Sequence, residues 1–85
     1  MSQKEKLLTD ILSGTKDNNI KFNDLRVFLI NLKFNERIKG DHFIYKRKGV
    51  PERINIQPNG HMAKGYQVRQ IRNLILKYNL NIGDE

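Results

Sequence analysis

Apolar side chains recur along this chain with two different periods, and the change between them divides it. Leu7, Leu8, Ile11 and Leu12 fall on one stripe of a helix predicted over residues 2–13, with Ser2-Gln3-Lys4-Glu5 as a capping box and Gly14 as the stop. The polar run Thr15-Lys16-Asp17-Asn18-Asn19 reads as a loop. Leu25, Phe28, Leu29 and Leu32 then follow the i, i+3, i+4, i+7 spacing of a second, core-facing helix, with Asn23 or Asp24 as its cap. From Phe34 onward the period falls to near two. Glu36-Arg37-Ile38-Lys39 reads as a short strand broken at Gly40, His42 to Arg47 as a second, and Arg53-Ile54-Asn55-Ile56-Gln57 as a third with Ile54 and Ile56 inward. Gly49-Val50-Pro51 and Pro58-Asn59-Gly60 carry the turn signals. Residues 66–79 form a last helix with Val68, Ile71, Ile75 and Tyr78 inward, and Asn79 to Glu85 reads as a frayed tail.

The expected order is therefore α-α-β-β-β-α, an α+β fold. It has a three-stranded antiparallel sheet, one face covered by the second and last helices and the other partly open. At 85 residues the chain makes a single domain, 1–85, with a small core. No apolar run is long enough for a bilayer, so no membrane association is expected. The absence of cysteine removes disulfides and thiolate metal sites and fits a cytoplasmic protein. Two histidines without a carboxylate cluster give no zinc pattern, and no metal or cofactor is expected.

Charge sharpens this picture. The net charge is +7, yet residues 37–77 carry +8 and the remainder −1. So lopsided a distribution favours a polyanionic partner over a merely solvated surface. Within the basic half, Lys39-Gly40-Asp41-His42-Phe43-Ile44-Tyr45-Lys46-Arg47-Lys48 sets a histidine behind a glycine turn, at the head of a strand that runs out into three cations. Histidine alone has an unperturbed charge change near neutral pH, so His42 can give or take a proton where cations hold a phosphate backbone. His61, in a Pro-Asn-Gly-His turn, reads as an exposed loop residue.

Gly40-Asp41-His42-Phe43-Ile44-Tyr45 is similar to the Gly-Ser-His-His-aliphatic-aromatic strand of the HicA family, the toxins of prokaryotic toxin–antitoxin pairs. Ile54-Asn55-Ile56-Gln57-Pro58 and Lys64-Gly65-Tyr66-Gln67-Val68-Arg69-Gln70-Ile71 resemble the family's next two segments, and the likeness spans residues 22–80. It implies a double-stranded-RNA-binding-domain-like fold, with residues 1–14 as an extra N-terminal helix. It further implies metal-independent cleavage of mRNA, His42 as the catalytic residue, and a cognate acidic HicB-like antitoxin. Two positions depart from the family pattern: Asp41 stands for its serine and Phe43 for its second histidine.

RNA brings its own nucleophile, the 2′-hydroxyl, so an enzyme need only move protons and stabilise charge. A positioned imidazole contributes ~10²–10⁴-fold as general acid or base, and the expected products are a 2′,3′-cyclic phosphate and a 5′-hydroxyl. Candidate RNA contacts are Lys39, Lys46, Arg47, Lys48, Lys64, Arg69 and Arg72, with Arg53 extending the same surface. Lys46-Arg47-Lys48 also fits a second role, deterring edge-to-edge aggregation. Asp41 would raise the proton affinity of His42 if the two charges met, although neighbouring strand residues point to opposite faces. Two rival functions remain open: a non-catalytic double-stranded-RNA-binding module, and a domain whose basic face binds an acidic protein.

Overall fold

A computed structural model describes residues 3–82. The helices are α1 (Gln3–Ser13), α2 (Phe22–Asn31) and α3 (Gly65–Tyr78), and the strands are β1 (Asn35–Lys39), β2 (His42–Arg47) and β3 (Val50–Ile56). The strands form one antiparallel sheet in the order β1-β2-β3. The α+β class and the element order are those the periodicity predicts. Ser2 of the expected capping box and residues 83–85 of the expected tail lie outside the described residues.

The sheet is one-sided because its strands alternate. Tyr45, Ile54 and Ile56 are buried on one face. Phe43 joins them there, its ring edge-on to Phe22 of α2 at 4.9 Å between centroids. From α3, Val68, Ile71, Leu74 and Ile75 enter the same core. α1 packs on α2 and α3, and Ile11 is its one fully buried side chain. Tyr45 carries a hydroxyl into this core, and its partner is provided: the hydroxyl donates to Glu36 Oε2 at 2.6 Å. Glu36 in turn accepts both Nε and Nη2 of Arg26 at 3.0 and 3.1 Å. The Arg26 guanidinium lies 4.7 Å from the Phe43 ring centre. The Arg26 hydrogen bonds hold the Glu36 carboxyl below its ordinary proton affinity, against the opposing effect of burial.

Both hairpins turn on two residues. Lys39 pairs with His42 across Gly40-Asp41, and Arg47 with Val50 across Lys48-Gly49. Gly40 and Gly49 occupy the left-handed region at φ 61° and 89°, which side chains disfavour. The second turn is therefore one residue earlier than the Gly49-Val50-Pro51 signal suggests, and Val50 and Pro51 belong to β3. Proline is tolerated there because β3 is an edge strand.

Three further departures from the sequence reading share one cause, contacts between distant segments. The polar run before α2 is not all loop: Asp17–Asn19 forms a 3-10 turn, and residues 20–22 pair with 61–63. Ala63 N–H donates to Ile20 O at 2.8 Å and Phe22 N–H to His61 O at 2.9 Å. That pairing sets the start of α2, so its cap position is Lys21 and neither Asn23 nor Asp24. At the other end the chain is not frayed directly after α3. Asn79 takes the left-handed conformation as the C-terminal cap, and Leu80 is buried. Among the described residues no helix is long and apolar enough to cross a membrane.

Arg72 locks these pieces together. Its Nη1 donates to Asp17 Oδ1 at 2.8 Å and to Ile11 O at 3.1 Å, joining α3 to the 3-10 turn and the end of α1. The side chains of Arg72 and Asp17 are only 15% and 19% exposed. Replacing Arg72 by alanine leaves a half-buried carboxylate and carbonyl without their donor. The expected cost is ~1.5–3 kcal/mol, read as a lower urea midpoint at unchanged slope.

Between β3 and the last turn of α3, Glu52 accepts from Lys77 Nζ at 2.8 Å and from the Tyr78 hydroxyl. These two bonds lower its carboxyl from 4.5 to about 2, with Lys77 the larger influence. A depressed carboxyl stabilises the fold above its unfolded value and loses that contribution as pH falls through the folded one. Acid titration of Glu52→Gln should therefore show a shallower loss of stability between pH 4.5 and about 2 than wild type.

Candidate nucleic-acid interface

The face of the sheet opposite the core carries a different set of side chains. Alternation from Tyr45, Ile54 and Ile56 turns Asn35, Arg37 and Lys39 of β1, His42, Ile44 and Lys46 of β2, and Arg53 and Asn55 of β3 to the open side. Gln57 follows β3 on that side. Among the described residues no helix covers this surface, and its polar side chains from Asn35 to Asn55 are exposed. Its four cations, Arg37, Lys39, Lys46 and Arg53, are exposed, and among the described residues no carboxylate lies within ion-pair distance of any of them.

His42 stands among these cations. Lys39 is its register partner on β1. Its side chain is 49% exposed, so the ring is reachable from solvent while still held by neighbours. Nδ1 lies 3.3 Å from Asn55 Oδ1 and Nε2 lies 3.3 Å from Gln57 Nε2. Asp41, in the turn before the strand, approaches in spite of the alternation: its Oδ1 is 3.8 Å from His42 Nε2, and its Oδ2 is 3.4 Å from Gln57 Nε2. The turn permits this because Asp41 precedes the pleated part of β2.

The end of the sheet bearing His42 is also where α3 begins. Gln67, buried in the first turn of that helix, faces the main chain of Gln57. With its amide oxygen toward the Gln57 N–H and its nitrogen toward the Gln57 carbonyl, both contacts are 3.2 Å. A buried side chain thus fixes the backbone from which Gln57 reaches His42. Gly65 allows the close crossing beside it, since a Cβ there would fall 2.3 Å from Asn18 Oδ1. Tyr66, next to Gln67, is exposed.

The other predicted contacts are dispersed. Lys39 and Lys46 share the open face with His42. Arg47 turns to the helix side, where Nη1 donates to Leu32 O at 2.8 Å and caps the end of α2. Arg72 is occupied by Asp17 and Ile11, as described above, and does not extend the basic surface. Lys48 lies in the far turn, Lys64 precedes α3, and Arg69 is exposed on α3, on the helical side of the sheet. Arg37, Asn55 and Gln57 were not singled out from sequence. Their shared signal was available: each has the strand parity of His42 once Ile54, Ile56 and Tyr45 are set inward.

Among the described residues, no group of three or more His, Asp or Glu side chains is placed to hold a metal ion. No family model, curated protein or solved structure matches this chain.

Proposed function

We propose that this chain is a HicA-type ribonuclease toxin, built on a double-stranded-RNA-binding-domain-like fold and restrained by an acidic HicB-like antitoxin. One observation carries the reading: a half-exposed imidazole on an open sheet face that also carries four exposed cations without carboxylate partners. Such a surface attracts a phosphate backbone whatever its sequence, and the ring supplies the group that RNA cleavage lacks. His42 accepts the 2′-hydroxyl proton as the 2′-oxygen bonds to phosphorus. The bond to the 5′-oxygen breaks, the proton passes to that oxygen, and the imidazole is restored. The pentavalent charge formed between these events is offset by the neighbouring lysines and arginines. An acidic antitoxin that covers the same face would block both binding and chemistry.

A second reading is favoured by the bonding of His42 itself. Both ring nitrogens have neighbours in Asn55 and Gln57, an arrangement that also suits a structural histidine in a non-catalytic RNA-binding module. Cleavage of purified RNA in EDTA separates the two. His42→Ala should lower the rate by ~10² or more while retaining salt-sensitive RNA affinity, and its expression should no longer arrest growth. Equal cleavage by both proteins rejects His42 as the proton-transfer residue; no cleavage by the wild type rejects the enzyme and leaves the binder.

The open face also predicts which cations matter. Arg37→Ala and Arg53→Ala should each reduce the slope of log affinity against log salt by about one. Arg72→Ala, measured where it remains folded, should leave that slope unchanged.

A further inference from the structure

We infer that Asn55 is a positioning residue that holds His42 in its Nδ1–H tautomer, leaving Nε2 as the atom that exchanges the proton with RNA. The inference rests on the ribonuclease reading of this site.

A neutral imidazole has one donor and one acceptor nitrogen, and the partner of one decides the state of the other. The local chain of contacts starts at Asp41. A carboxylate only accepts, so the Gln57 atom 3.4 Å from Asp41 Oδ2 is the amide nitrogen. That same nitrogen lies 3.3 Å from His42 Nε2 and has a second hydrogen to offer it. Nε2 therefore accepts, and the ring proton sits on Nδ1. Asn55 Oδ1, 3.3 Å from Nδ1, is the acceptor that this proton needs. Two independent neighbours thus select one tautomer.

The same geometry suits turnover. Both contacts to the ring are 3.3 Å, and of the two a 2′-hydroxyl displaces the one from Gln57, which occupies the proton-accepting Nε2. Once Nε2 has taken the proton, Asp41 Oδ1 at 3.8 Å faces the new imidazolium, while Asn55 keeps its bond to Nδ1. The charged groups that face the ring are Asp41 beside it and Lys39 across from it on β1. β3 offers it only neutral amides, with Arg53 two positions beyond Asn55, and the helices lie on the other side of the sheet. Asn55 is exposed, so replacing it does not threaten the fold.

The test pairs imidazole ¹⁵N–¹H spectra of the full chain, taken above neutral pH, with kinetics on a single-stranded RNA. Wild type should show the proton on Nδ1 and a pyridine-type Nε2. Asn55→Ala should move the population toward Nε2–H and lower kcat ~10–100-fold with KM little changed. Asn55→Asp, which keeps the acceptor oxygen, should restore the Nδ1–H signature. A wild type that cuts RNA while carrying its proton on Nε2 overturns the inference alone, as does an Asn55→Ala protein with unaltered tautomer and kcat. A wild type with Nδ1–H that cuts no RNA overturns the ribonuclease reading, and the role of Nε2 with it.

Discussion

The burial of Tyr45, Ile54 and Ile56 against α2 and α3 decides everything on the other side of the sheet. Strand side chains alternate, so fixing these three inward fixes His42, Asn55 and Gln57 outward and on the same face. A one-residue slip of β3 against β2 would turn β3 over, exposing Ile54 and Ile56 and carrying Asn55 and Gln57 to the core side, away from His42. The hydroxyl of Tyr45 adds a polar restraint to that hydrophobic one. It must meet Glu36, and Glu36 must meet Arg26, so β1, β2 and α2 are held in one mutual position. Register, not the identity of any loop, assembles the candidate site.

Positive charge is abundant in this chain but not interchangeable. Arg26, Arg47, Arg72 and Lys77 are each committed to an internal acceptor: Glu36, the Leu32 carbonyl, Asp17 with the Ile11 carbonyl, and Glu52. They serve as struts between elements. Arg37, Lys39, Lys46 and Arg53 have no such acceptor and stand together on the open face. A count of cations by sequence segment cannot divide the two groups, because the division depends on which acceptors the fold brings near. Every strut in this set except Lys77 is an arginine, whose planar fork meets several acceptors at once where a lysine presents one point of charge.

The same distinction explains what was legible in the sequence. β2 was readable to the residue, since Gly40 with its positive φ and the apolar alternation of Phe43 and Tyr45 are both local signals. The stripe of α2 was readable for the same reason. Its cap was not, because Asn23 and Asp24 are good local candidates overridden by the pairing of residues 20–22 with 61–63. Leu80 reads as part of a tail because nothing near it in sequence shows that it is buried in the core. Around His42 the parity of Asn55 and Gln57 could be read from the strand pattern. That Asp41 reaches past the alternation to the same ring could not, as it depends on the geometry of a two-residue turn.

The choice of amides around the imidazole follows from where it stands. A histidine that moves protons needs a partner to fix its ring, and a carboxylate at the Asn55 position would do so firmly. It would also place a negative charge in the path of an approaching phosphate and strengthen the hold of the ring on its proton. An amide oxygen orients Nδ1–H without either effect, and an amide nitrogen marks Nε2 as the acceptor without adding charge of its own. The one carboxylate nearby, Asp41, lies to the side in the turn and is bonded to Gln57, so its field bears most on the ring once Nε2 is protonated. On a face that also carries Arg37, Lys39, Lys46 and Arg53, neutral hydrogen-bonding groups are the ones that position an imidazole while leaving the attraction for a polyanion intact.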